Sequence, residues 1–297
     1  MQCEQANYTL VYLANGTCSV RSLAHRETFH PVIGPVAEAQ ALYVRQGEAL
    51  RRMNESPQEF VIWDVGLGAA ANALTILRST AEASGRLRLV SFDHTLEPLR
   101  FALQHASNLG YFSGYEKTVS ALLEQRQAVW QEAGRTVRWE LHLADFPALL
   151  GVGNNSTAGQ FPPARHLDLP KPHLIMFDAY SPAKNPAMWT QSLFARIYEL
   201  LDRGRPCALA TYSRSTMLRV SLLLAGFYVG GGQATGEKEE TTLAANTPAL
   251  ISHPLDRRWL HRAHRSTSAE PLWEPQYRQA PLSPGTWERL QNHPQFN

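Results

Sequence analysis

Cysteine is nearly missing from this chain: three in 297 residues. Cys3, Cys18 and Cys207 are odd in number and far apart. That excludes a disulfide framework and offers no CxxC pair to a metal, so a reducing compartment and no metal site are expected. Long apolar runs are also missing. No segment approaches the roughly 18 apolar residues that a membrane helix needs. The start, "MQCEQANYTLVYL", lacks the basic and apolar regions of a signal peptide. A soluble, cytoplasmic protein is expected, and the "NYT" and "NGT" sequons read as chance matches. Charge of one sign is missing as well: charged residues make up 18% and the net charge is +2. No whole-chain electrostatic attraction to nucleic acid or membrane follows, and any basic surface must be local.

What is present is a large apolar fraction, 44%, enough for one large core or a core with a modest appendage. "YTLVYLANGTCSV" reads as a β-hairpin turning at Asn15-Gly16. "PVAEAQALYVRQGEALRRM" has helix-forming composition. From about Phe60 to Gly226 strands and helices alternate, the strands being "EFVIWDVGLG", "RLRLVSFD", "TVRWELHLAD", "HLIMFD" and "PCALATY". Gly110 and Gly226 read as helix stops. A polar helix is expected over about Tyr115 to Gly134, and one long helix over "NPAMWTQSLFARIYELL", with Trp189, Leu193, Ile197 and Leu201 as its buried stripe. "FYVGGG" and "EETTLAAN" suit a closing antiparallel pair. Residues 151–172 read as a long loop, and the chain from His253 onward reads as irregular. The fold class is α/β with a mostly parallel seven-stranded sheet. Its expected parts are 1–54 (hairpin and helix), 55–250 (main domain) and 251–297 (basic tail). No internal repeat is visible.

Sheets of this kind bind ligands at the carboxyl ends of their strands. Asp64, Asp93 and Asp178 end three of the strands, and Asp145 follows a fourth. A glycine turn, Gly66-Leu67-Gly68-Ala69-Ala70-Ala71, formally satisfies the dinucleotide fingerprint, although a tight turn for helix–strand packing would look the same. Asp64, two residues upstream, would repel a pyrophosphate seated on the following helix. It suits the sulfonium and ammonium of S-adenosyl-L-methionine. Asp93 suits ribose hydroxyls with either cofactor. Asp178, followed by the proline-stiffened "AYSPAKNP", stands where an amine could be oriented and deprotonated for methylation. A helix cap or a pairing with Lys184 is the structural alternative. Asn185-Pro186 reads as N-cap and first helical position, Trp189 as core, and Lys184 equally as solvated surface or as an anion contact.

Four stretches, "FHPVIGPVAEAQALYV", "DVGLGAAAN", "FDAYSPAKNPAMWTQSLF" and "LATYSRSTMLRVSLLLAGFYVGGGQATGEKEE", together resemble the MnmC-like tRNA methyltransferase family, in its methyltransferase part only. The resemblance runs from about Tyr8 to Asn246. It implies a Rossmann-like class I methyltransferase using S-adenosyl-L-methionine to methylate an aminomethyl group on the wobble uridine of tRNA. It further implies that Asp178 lies between methyl donor and amine. Glu38, Asp64, Gly66, Gly68, Asn72, Asp93 and Asp145 would line the cofactor. The family's turn usually reads Glu-Thr-Gly-Phe-Gly-Thr-Gly-Leu-Asn, so Ala69 and Ala70 replace a threonine and a glycine. The flavin-dependent oxidase domain of better-known members is not expected in this chain.

In "SHPLDRRWLHRAHRS", Arg257, Arg258, Arg262 and Arg265 surround Trp259. Arginines interleaved with an aromatic suit an RNA backbone with a base to stack on, although a solvated helix face would look alike. Lys184, Arg257, Arg258, Trp259 and Arg262 are the expected substrate contacts. Two other readings stay open: a small-molecule N-methyltransferase, and a non-catalytic RNA- or partner-binding protein. The sequence does not fix the oligomeric state.

Overall fold

The computed structural model describes residues 7–56, 58–153, 168–234 and 240–297. Most of the expected 151–172 loop lies outside them. Two compact units emerge: Met1–Ala144 with Ala234–Glu239, and Asp145–Gln233 with Glu240–Asn297. These bounds differ from the three expected parts.

The first unit opens with the expected hairpin, β1 (Tyr8–Tyr12) paired antiparallel with β2 (Cys18–Ser22), and β3 (Glu27–Thr28) adds a short third strand. The single helix expected next is broken. α1 (Pro35–Ala39) runs on as a π-helix over Gln40–Arg45, and a left-handed Glu48 (φ 47°) separates it from α2 (Ala49–Asn54). Then β4 (Glu59–Val65), buried at six of seven positions, leads through the glycine turn into α3 (Ala71–Ser79) and β5 (Gly85–Asp93). A continuous apolar run such as "FVIW" suits a parallel strand covered on both faces. α4 (Glu97–Gln104) and α5 (Ala106–Leu109) follow, closed by Gly110 at φ 75° as expected. The polar helix stops early. α6 covers only Glu116–Gln125, and "QAVWQE" forms β6 (Gln127–Glu132), hairpinned to β7 (Arg135–Leu143). Its side chains alternate exposed and half-buried, the period of a strand rather than a helix. Ala133 and Gly134, both left-handed, make the two-residue turn. Strand order is β4-β5-β7-β6, parallel except at the outer hairpin.

Arg135 ties this unit together. Its guanidinium is fully buried and donates to the carbonyls of Leu77 (2.7 Å) and Thr80, to the Thr80 hydroxyl (2.7 Å) and to Glu132. The first strand residue after the hairpin thereby satisfies carbonyls at the end of α3, where helices leave theirs unmatched.

The second unit begins with α7 (Phe146–Leu149). Its strands run in the order β10-β11-β9-β8, where β8 is Leu174–Phe177, β9 Ala208–Thr211, β10 Tyr228–Gly232 and β11 Thr241–Ala245. β8 and β9 are parallel, and β11 pairs antiparallel with both β9 and β10. Among the described residues these two sets hold eight strands, four in each unit, besides the β1–β3 sheet. β6 is the one not foreseen. Between β8 and β9 lies α8 (Gln191–Leu200), and between β9 and β10 lies α9 (Thr216–Ala225), ended by Gly226 at φ 109°. The long helix expected from Asn185 splits in two. A 3-10 turn, Pro186–Trp189, comes first, and an extended Thr190 (ψ 147°) then caps α8 with its hydroxyl. Pro186 sits at the first position as expected, but the Asn185 side chain makes no cap bond. Trp189, Leu193, Ile197 and Leu201 are all buried.

The segment expected to be irregular carries α10 (Arg257–His264) and α11 (Pro284–Gln291). It covers the outer strand. His253 accepts from the Gly231 amide at 3.0 Å, and a Cβ on Gly230 would lie 2.5 Å from the His253 oxygen. Gln295 accepts from Val229 N (2.7 Å) and donates to Val229 O (2.8 Å), standing in for a neighbouring strand. Glu270, nearly buried, accepts from Trp273, Ser283 and Thr286. An edge clad in this way cannot template further pairing. No helix of the described residues is long and apolar enough to cross a membrane.

Two stability tests follow. Replacing Arg135 by Met keeps the packing volume but strands two carbonyls and Glu132, so urea unfolding should register a loss of about 3 kcal/mol. An unchanged midpoint would refute this role. His293 is the second test. Burial holds its imidazole below the usual histidine value, and its Nδ1 accepts from Gln295 N at 3.2 Å. A depressed value means the neutral ring's contribution is complete above the unfolded value of about 6.5 and is lost as pH falls. Between roughly pH 7.5 and pH 5 the wild-type melting temperature should fall more than that of His293→Asn, which can cap without titrating.

Candidate functional site

Gly66 (φ 94°) and Gly68 (φ 51°) take the left-handed backbone that favours glycine, and so does Ala70 (φ 61°). For alanine that geometry costs about 1–2 kcal/mol. Packing holds Ala70 there: it is fully buried, and Tyr111 donates its phenol to the neighbouring Ala69 carbonyl at 3.1 Å. Burial raises the Tyr111 phenol far above its ordinary value, so it stays a donor. The turn's amides point inward. Gly66 N and Leu67 N donate to Phe92 O (3.0 and 3.2 Å), Gly68 N to Asp93 Oδ2 (2.9 Å) and Ala70 N to Leu67 O (2.8 Å). A Cβ on Gly68 would lie 3.2 Å from the Phe29 ring. Four of the turn's amides are thus satisfied internally, while the first-turn amides of α3 have no side-chain cap.

Three carboxylates of the first unit accompany the turn. Asp64, on the last turn-ward stretch of β4, is completely buried and accepts from Ser91 Oγ at 2.7 Å; Ser91 in turn accepts from Trp139 Nε1 at 2.9 Å. Asp93 also accepts from Thr95 N (3.1 Å) and keeps 9% of its side chain exposed. Glu38 in α1 is buried, 3.7 Å from His30 Nδ1. Asn72 is buried in the first turn of α3. Among the residues expected to bind cofactor here, Gly66, Gly68 and Asp93 keep accessible surface. Asp64, Glu38 and Asn72 are buried. Carboxylates beside the turn fit the sulfonium and ammonium of S-adenosyl-L-methionine.

In the second unit, Asp178 directly follows β8 and is half-buried. The three carbonyls after it each receive a donor. Tyr212 Oη donates to Ala179 O at 2.9 Å, Trp189 Nε1 to Tyr180 O at 2.8 Å, and the amides of Lys184 and Asn185 to Ser181 O at 2.8 and 2.9 Å. Trp189 packs edge-on against both Phe177 (5.4 Å) and Tyr212 (6.0 Å). The prolines set the course of this turn and the aromatic donors fix it. Sequence reading foresaw Trp189 as core but missed its indole donor, and missed Tyr212 altogether. The only signal for Tyr212 was its place one residue past β9, at the carboxyl end of a strand.

The remaining expected residues are placed as follows. Asp145 is exposed and caps α7, accepting from Ala148 N at 2.9 Å. Lys184 is exposed on the turn. Trp259 is buried (6% exposed) and stacked against Phe296, so it presents no face to a base. Arg257 donates to Phe296 O at 2.8 Å. Arg258 and Arg262 are exposed on the opposite side of α10 with His261, and Arg265, also exposed, is the C-cap. No group of histidines, cysteines and acids among the described residues could hold a metal.

A family model described as S-adenosyl-L-methionine-dependent methyltransferase matches residues 165–247. A Ralstonia nicotianae protein named tRNA 5-methylaminomethyl-2-thiouridine biosynthesis bifunctional protein MnmC is 25% identical over 267 residues, 85% of this chain and 35% of that one. A Methylibium petroleiphilum protein of the same name is 36% identical over 98 residues, 33% of this chain and 14% of that one. The chain thus spans about a third or less of the length of these curated relatives. The crystal structure of MnmC2 from Aquifex aeolicus shares the fold, with a TM-score of 0.64, 22% identity, and coverage of 91% of this chain and 79% of that one. The chain is thus similar to S-adenosyl-L-methionine-dependent methyltransferases over residues 165–247 and to MnmC proteins over most of its length.

Proposed function

We propose that the chain methylates the amine of an aminomethyl group on the wobble uridine of tRNA, with Asp178 as the catalytic carboxylate. The observation that carries this reading is Asp178 itself. It stands on a turn braced by three successive carbonyl contacts, inside the matched region 165–247. The names of the relatives supply the substrate class. When bound, the cofactor supplies an electrophilic methyl group on a sulfonium. The amine must meet it with a free lone pair, yet a free alkylamine is mostly protonated at neutral pH. Asp178 accepts a hydrogen bond from the amine, aims its lone pair and takes the proton. Gly66, Gly68 and Asp93 form the accessible part of the cofactor cradle. Asp64 and Glu38 add negative charge beneath it, and Asn72 shapes the start of α3; Asp145 caps α7 in the second unit.

For the RNA, Arg258 and Arg262 are the proposed phosphate contacts, with Lys184 on the turn. Among the described residues, neither arginine has a side-chain hydrogen bond or ion pair. Guanidiniums left unpaired on one helical face suit phosphates. Arg257 and Trp259 serve the packing of α10 and are not proposed as contacts.

Asp178→Asn should lower kcat for tRNA bearing the unmethylated aminomethyl group at least 100-fold, while calorimetry gives cofactor affinity within about twofold of wild type. Equal turnover would remove Asp178 from the mechanism. Arg258→Glu with Arg262→Glu should weaken tRNA binding and flatten the slope of log affinity against log salt by about 2. A wild-type slope would mean that the RNA docks elsewhere, and methylation of a small amine with no tRNA binding would favour the small-molecule reading.

A further inference from the structure

The turn that carries Asp178 is held from outside its own chain segment. A carbonyl beyond a strand's last residue has no ladder partner, and something else must receive it. Ala179, Tyr180 and Ser181 present three such carbonyls in a row. Ser181 is served by backbone amides of its own turn, as any tight turn would be, and Tyr180 by the indole of Trp189, whose burial needs no further explanation. Ala179 differs. It is the residue next to Asp178, and its donor is the Tyr212 hydroxyl at 2.9 Å, brought from the end of β9 thirty-three positions away. Tyr212 is half-buried, and its ring already packs on Trp189. Packing therefore accounts for the ring but not for the hydroxyl.

We propose that Tyr212 is a positioning residue for methyl transfer: its hydroxyl, through the Ala179 carbonyl, fixes the direction in which the Asp178 carboxylate meets the substrate amine. This rests on the reading of Asp178 given above. A general base must sit within hydrogen-bond reach of its proton with the right aim, and a small misplacement is felt in the transition state more than in binding. Releasing one peptide carbonyl next to Asp178 lets that peptide plane rock, and the carboxylate moves with it.

The test compares Tyr212→Phe, Asp178→Asn and the double variant in single-turnover methylation of tRNA bearing the aminomethyl group. Tyr212→Phe keeps the ring and removes the hydroxyl. It should slow the chemical step about tenfold, the worth of one hydrogen bond. The melting temperature and the calorimetric affinity for S-adenosyl-L-methionine should stay close to wild type. In the Asp178→Asn background the same change should have no further effect, since the two residues act as one unit. An undiminished rate in Tyr212→Phe overturns the proposal. So does an equal tenfold loss in the presence and absence of the Asp178 carboxylate, which would mark a general structural role. A fully active Asp178→Asn would sink the reading of Asp178 and the proposal together, whereas an inactive Asp178→Asn beside a wild-type Tyr212→Phe would sink the proposal alone.

Discussion

Burying a carboxylate costs several kcal/mol unless its oxygens are received, and the first unit is organised around one that is buried completely. Asp64 lies on β4, Ser91 on β5 and Trp139 on β7. The indole donates to the hydroxyl and the hydroxyl to the carboxylate. A one-residue slip of any of these strands would turn its member of the chain to the opposite face. The relay thus fixes the register of three parallel strands at the end where ligands bind. The glycine turn inherits that alignment, because the Gly66 and Leu67 amides reach the Phe92 carbonyl and the Gly68 amide reaches Asp93, both on β5.

The second unit meets a similar demand by other means. Its acid, Asp178, is only half-buried, and the structure attends to the backbone beside it. Two aromatic rings, one from the 3-10 turn and one from the end of β9, reach the peptide carbonyls that follow. In both units a buried indole completes the support, through the Ser91 hydroxyl for Asp64 and at the Tyr180 carbonyl beyond Asp178. Such rigid support is what a catalytic constellation requires.

Much of this was legible in the sequence, and where it was not the reason is physical. The apolar runs of β4, β5, β8 and β9, the Asn15-Gly16 hairpin and the stops at Gly110 and Gly226 follow from local chemistry and were readable. β6 was not, because "QAVWQE" is polar enough to pass for a surface helix and its turn is Ala-Gly rather than Asn-Gly. The tail looked irregular because what organises it is distant: Glu270 gathering Trp273, Ser283 and Thr286, and Gln295 dressing β10. Trp259 misled for the same cause. Its arginine neighbours suggested a wet surface, but α10 has two faces, and the indole is on the one that meets Phe296. Asp64 and Asp178 were found as candidates from their strand-end positions, whereas Ser91, which donates to Asp64, and Tyr212, which donates to the carbonyl next to Asp178, come from distant parts of the chain and carry no motif.

The inward-facing amides of the glycine turn bear on how this chain selects among the adenosine compounds of a cell. Many carry a pyrophosphate and share the adenosine that a methyl donor offers. Repelling them by charge alone would weaken as salt rises, since exposed charges are screened. Four N–H groups of this turn already have acceptors, and these four offer a competitor no bond at any ionic strength. Three of these bonds end on the backbone carbonyls of Phe92 and Leu67 and survive any change of side chain, whereas the fourth is only as durable as Asp93.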